Sequence, residues 1–410
     1  MASQGRLALS ALFLGMGLFG VMATDGQLFA GPLGKLLRAI AGGSEEAVVL
    51  IGGPVPFKYK YTGIGFVDAI ISHWTAFVAA LIDDPELRWN TWALYIESMG
   101  QFCVGWGLLL LECRRAGNRG LAVSWAGTLG VVFQAISWAF SLPLYFGLHL
   151  LTSPISKLES KGGRITGEAA KLLFVDLWDL ALMPISLTLG TLIPTLFMSL
   201  PSLFSSIGHY SWIAFWIPFG PWTVIAMDLF KSVANSTVGA LGPKDAKGRA
   251  TTPGKGFYVA VSTVYQFNMA VSVLTHLPFM ATSVLPGPLR SALIYAFPGF
   301  TSFFTDITFT KTWLPHPFLG QPAIDPLANG PGRFGPLVAD FYLFDLYLGN
   351  GAMLIWALYL YLQQTGSSPA KAIQTAAKWS FLGGFVAGAF ALLWERDELV
   401  QESENDAKRK

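Results

Sequence analysis

The sequence predicts an all-α fold, a polytopic transmembrane helical bundle of about eight to ten spans. Three observations carry that prediction. Of the 410 residues 53% are hydrophobic and only 13% are charged, where a soluble domain carries about a quarter charged residues. The mean hydropathy is +0.50. The apolar residues also fall into runs of membrane length, separated by Gly/Pro-rich or charged connections. Residues 1–410 read as a single integral-membrane domain, with 396–410 as a soluble C-terminal tail.

Residues 7–24, behind Arg6, are either a first span or a signal peptide cut near Ala23; a retained helix is preferred. The connection 25–61 carries Lys35, Arg38, Lys58 and Lys60, and its segment GGPVPFKYKYTGIG approaches the bilayer as ordered non-helical chain. A second span, 63–82, holds Asp68 and His73 and ends at the acidic loop DDPELR. Next comes the helix Asn90–Leu111, about 30 Å long at roughly 1.5 Å per residue, which closes on Arg114, Arg115 and Arg119. The apolar run 121–151 is too long for one untilted span and too short for two, so a helix kinked at Pro143 with a re-entrant element behind it is expected. After the exposed segment 152–175, spans follow at 177–200 and 210–230. The basic loop 231–255 (Lys231, Lys244, Lys247, Arg249, Lys255) lies in water and is expected on the cytosolic side. A long span, 257–284, encloses Gln266, Asn268 and His276; 289–310 is broken or interfacial at Pro298 and Gly299. The Pro/Gly-rich loop 311–336 carries Trp313, His316, Asp325 and Arg333. Spans 337–362 and 376–394 complete the chain.

Composition and motifs narrow the chemistry. A net charge of +2 makes no case for nucleic acid. Cys103 and Cys113, ten residues apart on one helix, stand about 15 Å apart, beyond the roughly 7 Å reach of a disulfide. The five histidines show no metal-ligand spacing, and there is no Walker loop, HExxH or GxSxG. Aspartate pairs that hold Mg²⁺ and diphosphate would need a different spacing from DLWD (176–179) and DFYLFD (340–345). No metal site is assigned.

What remains is a set of acids at membrane depth: Asp68, Glu97, Asp176, Asp179, Asp340 and Asp345. An ionisable side chain there costs roughly 2.5–3.5 kcal/mol on insertion, so it turns inward. Glu97 lies two turns into its helix, with Gln101 at i+4 on the same face and Trp92 and Tyr95 nearby. It either pins two helices by a hydrogen bond or is a neutral acid that donates a proton. Asp176 and Asp179 share a face at a helix start, where they either anchor that start or belong to a site. Asp228 and Lys231 are spaced for an ion pair. Asp340 is placed as an interfacial cap or a second acid, and Asp345, deeper, has Phe341 and Tyr342 on its face. An acid walled by aromatics suits carbocation chemistry, because π faces stabilise a cation by roughly 0.5–2 kcal/mol per contact. Aromatic belts decorate any membrane protein, so the aromatics alone do not decide it.

The run GQFCVGWGLLLLECRRAGNRG, the pair Phe133–Gln134 and the segment SLPLYFGLHLLTSP (141–154) resemble the fungal integral-membrane terpene cyclases of meroterpenoid biosynthesis, of the macrophorin and ascofuranone type. That resemblance implies proton-initiated closure of a farnesyl-type tail and a partner acid in another helix; depth and neighbours, not a motif, make Asp345, Asp179 and Asp340 the candidates for that partner beside Glu97. Trp92, Tyr95, Gln101, Phe341 and Tyr342 would then contact a prenylated aromatic or quinol-type substrate drawn from the lipid bilayer. No cofactor is implied, because the reaction is redox-neutral, and the expected location is the endoplasmic reticulum membrane. A proton-coupled transporter or lipid-binding protein using the same acids is the alternative; the lack of an internal repeat weighs against it.

Overall fold

A computed structural model describes residues 2–29, 31–43, 57–83, 89–160, 171–200, 206–239, 241, 255–315 and 334–409. Among these residues the chain is predominantly helical, with no strand. The segment GGPVP (52–56), most of DDPELR, the basic loop beyond residue 241 up to 254, and His316, Asp325 and Arg333 lie outside the described residues.

Among the described residues seven helices are long and apolar enough to cross a membrane, or eight if one bent pair is a span. The central one is Trp89–Arg114. In its most apolar window 94% of residues are buried, against 22–61% for the other spans. Every other layer is placed by contact with it or with its immediate neighbours. Gly65–Ile82, Phe334–Thr365, Lys255–Ser283 and Pro369–Arg409 all touch it. The N-terminal helix Ala2–Ala23 runs along Trp138–Thr152. Gly20 makes that approach possible, since a Cβ there would sit 2.3 Å from the Ala139 carbonyl oxygen.

Several boundaries differ from the sequence reading, each for a local reason. The run 121–151 forms a short helix, Ala126–Ala135, and a second, Trp138–Thr152; the break is at Ile136–Ser137, not at Pro143. Ile136 is extended (φ −130°, ψ 143°) and Ser137 precedes the new helix, while Pro143 sits inside it. Proline is tolerated there because neighbouring helices compensate for the missing N–H. The expected span 210–230 is likewise two helices, Ser206–Trp216 and Phe219–Thr237, bent by 74° at Ile217–Pro218.

The latter helix carries Lys231 back into the bundle, so this residue is not in the basic loop. Lys231 Nζ meets Asp179 Oδ2 at 2.8 Å and Asp176 Oδ1 at 3.3 Å, and Asp228 pairs with Arg114 at 2.6 Å. The expected Asp228–Lys231 pair is therefore replaced by three longer-range ones. Asp176 also caps its helix, accepting from Trp178 N. Asp68 reaches back to accept from the backbone N–H of Tyr61, Thr62 and Gly63, and so fixes the start of its own helix.

The terminal helix Pro369–Arg409 extends well past the expected 376–394 and is broken at Gly383–Gly384. Arg396, Asp397 and Val400 are buried, so the soluble tail cannot start at 396. Arg396 and Asp397 join Glu112 and Arg115 in a closed charge cluster. Arg115 bonds to Glu112 at 2.6 Å and to Asp397 at 2.8 Å, Arg396 reaches Glu112 at 3.3 Å, and Tyr265 donates to Asp397. Two cations face two anions here, which is the arrangement that keeps buried charge tolerable.

Candidate active site

The central helix presents its middle to two cavities. The larger of the two, about 90 Å³, is lined by Glu97 and Gln101 from the central helix and His276 and Met280 from Lys255–Ser283. Leu346, Tyr347 and Asn350 contribute from Asp345–Asn350, Trp313 from a short helix, and Ser380, Gly384 and Phe385 from the terminal helix. Glu97 Oε1 is 2.8 Å from His276 Nδ1. The other atom of each pair, Glu97 Oε2 and His276 Nε2, is buried with no protein partner. Trp313 packs with its ring centroid 5.9 Å from that of His276, and the Tyr347 hydroxyl donates to the Trp313 carbonyl, fixing the indole's backbone.

The outer wall of this cavity is the Gly383–Gly384 break. Gly384 has φ +75° and ψ 175°, a conformation open essentially to glycine. The break frees the Gly383 carbonyl, which accepts from Gln101 Nε2 (2.9 Å) and from the Ser272 hydroxyl. Gln101 is thereby a strut between the central helix and the wall, one turn from Glu97.

The second cavity, about 50 Å³, is lined by Phe102 of the central helix and by other residues of Phe334–Thr365, joined by residues of further helices. Its lining includes nine aromatic residues, among them Trp74, Phe77, Phe102, Trp138, Phe341 and Tyr342, with Asp345 at its edge. Phe77 stands 5.0 Å from Phe341 and Phe102 4.7 Å from Trp138, centroid to centroid. Asp345 Oδ1 accepts from Ala139 N at 2.9 Å, in the first turn of Trp138–Thr152. Three interruptions of α-helical geometry meet at this cavity: the break at Ile136–Ser137, the bend at Ile217–Pro218 and the π-helical turn Asp345–Asn350. Such turns are frequent at functional sites. Here the π turn aims Asp345 at one cavity and Leu346, Tyr347 and Asn350 at the other.

The family model of the CtvD domain matches residues 31–401. This chain belongs to the CtvD-domain family. The curated terpene cyclase ascI of Acremonium egyptiacum is 25% identical to it over 381 residues, which cover 89% of the chain and 86% of that protein. No solved structure matches the chain. The two matches bear out the family read from the sequence, fungal meroterpenoid terpene cyclases, and extend it from residues 60–155 to nearly the whole chain. With the family comes an enzyme of the terpene cyclase class.

In this CtvD-domain chain the residues singled out from the sequence part company. Glu97 and Gln101 share the larger cavity; Phe341, Tyr342 and Asp345 share the smaller. Asp179 lies at neither, tied to Lys231. Asp340 is buried but lines neither cavity. Trp92 and Tyr95 pack edge to face, 5.6 Å apart, and the Tyr95 hydroxyl bonds to Ser199 at 2.7 Å, away from both linings. Sequence reading placed His276 inside a span without assigning it a partner. A histidine at membrane depth was the available signal, but its carboxylate lies 179 residues away.

Proposed function

We propose that this enzyme closes the prenyl tail of a meroterpenoid precursor inside the bilayer by a proton-initiated, class II mechanism, with Glu97 as the acid. One observation carries the assignment. Glu97 is the buried carboxyl that lines a cavity also holding Trp313, Tyr347 and Phe385, is anchored through one oxygen to an imidazole, and has no protein partner on its other oxygen. A proton on Oε2 faces the place where a terminal alkene or epoxide would sit. The aromatic rings then offer their faces to the cation, each worth roughly 0.5–2 kcal/mol.

Pockets that enclose a drug-sized ligand measure about 300–1,000 Å³, so the cavity of about 90 Å³ holds the reacting end of the tail. Room for the rest comes from parting the wall at its Gly383–Gly384 joint, with the aryl or quinol head left near the interface. The reaction is an isomerisation and consumes no redox equivalent; the membrane is that of the endoplasmic reticulum.

The test is incubation of membranes carrying the enzyme with linear farnesylated phenols and their terminal epoxides, read by mass spectrometry and chromatography. Wild type should give cyclic isomers, and Glu97→Gln should lower turnover by roughly 10²–10⁴. Retention of activity within about tenfold would return Glu97 to a helix-pinning role. The nine aromatics of the second cavity favour one other reading, in which Asp345 is the donor there; Asp345→Asn, inactive beside an active Glu97→Gln, would select it.

A further inference from the structure

A proton-initiated cyclisation must also end, and ending requires a base. We propose that His276 is that base, taking through Nε2 the proton that the final carbocation loses and returning it to Glu97 through Nδ1. The proposal rests on the reading of Glu97 as the acid.

The geometry supplies both halves of the circuit. His276 is 3% exposed and Nε2 has no protein partner, although it belongs to a residue that lines the cavity. Nδ1 lies 2.8 Å from Glu97 Oε1. A carboxylic acid beside a neutral imidazole places no net charge in the bilayer, the arrangement least costly to bury. With the ring hydrogen on Nδ1 donated to Oε1, the acidic hydrogen occupies Oε2 and the Nε2 lone pair is free. Acid and base then face one cavity from two different helices.

Among the other polar lining groups, Gln101 and Asn350 are amides, Ser380 offers only a weakly basic neutral hydroxyl, and the Tyr347 hydroxyl is spent on the Trp313 carbonyl. Ring closure moves the positive charge away from the carbon that received the proton, so a base separate from Oε2 is needed at the new position. Trp313, packed against His276, offers its ring to the cation there.

The step balances without a co-reactant. The Glu97 Oε2–H bond breaks as a C–H bond forms at the terminal alkene carbon, and the neighbouring carbon becomes cationic. Ring closure forms carbon–carbon bonds and moves the cation along the tail. A C–H bond next to the final cation breaks, its electrons become the product's double bond, and its proton goes to Nε2. The resulting imidazolium passes its Nδ1 proton to the Glu97 carboxylate. Substrate and product are isomers, and the pair ends neutral with one acidic proton; carboxyl rotation and tautomer exchange restore the starting arrangement.

Two substitutions separate this role from mere support of Glu97. In His276→Asn the amide N–H can still donate to Glu97, but no base is present. Substrate should still be consumed, more slowly than by wild type because Glu97 must regain its proton from water, while the products shift from the wild-type alkene to other alkene isomers and water-captured alcohols. His276→Ala, which also loses the support, should be slow as well as altered. An unchanged product mixture from His276→Asn overturns the proposal. So does a His276→Asn enzyme as inert as Glu97→Gln, because His276 would then only position the acid. His276→Gln, closer in volume, decides the matter if the Asn variant does not accumulate in membranes. Failure of the underlying reading looks different: Glu97→Gln would itself cyclise.

Discussion

Replacing Gly384 by alanine strains the cavity wall at its joint. The backbone there (φ +75°, ψ 175°) is a region that side chains other than glycine's reach only at roughly 1–3 kcal/mol. An added Cβ would also lie 2.7 Å from Gln101 Oε1 and 2.9 Å from Nε2, so the amide must move. Moving it weakens the Gln101–Gly383 hydrogen bond, worth about 0.5–1.5 kcal/mol. Together the expected loss is roughly 1.5–4.5 kcal/mol. The assay is denaturant unfolding of the purified protein in detergent, followed by tryptophan fluorescence. Gly351→Ala is the control: its Cβ meets nothing within 4 Å and its backbone is helical, so alanine should stabilise by up to about 1 kcal/mol. In a Gln101→Ala background the steric part should vanish and the backbone part persist. If Gly384→Ala unfolds with wild type, or Gly351→Ala is equally harmful, the reasoning about the joint is wrong.

Other outcomes follow from the charges and rings. Arg396→Met should destabilise the protein by about 3–5 kcal/mol, because Glu112 and Asp397 lose a buried cation; adding Asp397→Leu should recover part of it, measured in the same unfolding assay. Asp179→Asn should leave cyclisation within a few-fold of wild type, since its carboxyl is held by Lys231 away from both cavities; a loss as large as that of Glu97→Gln would contradict the placement. Trp313→Leu should slow cyclisation by about 2- to 30-fold, the kinetic equivalent of roughly 0.5–2 kcal/mol of cation stabilisation, with membrane accumulation unchanged.

The parts of this fold visible in the sequence are those that hydropathy controls. Gly65–Ile82, Trp89–Arg114 and Lys255–Ser283 come out close to their expected limits because a span must satisfy its length within its own residues. Breaks are less visible. Pro143 drew the kink by its missing N–H, yet the chain opens at Ser137, where a small polar residue before Trp138 is an ordinary helix-start signal. The tail misread has a different cause. Arg396 and Asp397 are polar whether they face water or each other, and hydropathy cannot tell a solvated charge from a paired one. Glu97 was legible as an acid inside a helix; its histidine was not, because pairing between helices leaves no periodic trace. Asp345 and Glu97 were both readable by depth, but only packing shows that they serve different cavities.

The charge cluster also sets a clock for biogenesis. Glu112 and Arg396 are 284 residues apart, an interval that takes roughly 15–60 s to synthesise at about 5–20 residues per second. For that time Glu112, in the last turn of the central helix, and Arg115, just beyond its end, are without their distant partners. Insertion of the early spans therefore precedes the locking of the core, and a stalled or truncated chain ending before Arg396 exposes an incomplete ion cluster at the membrane.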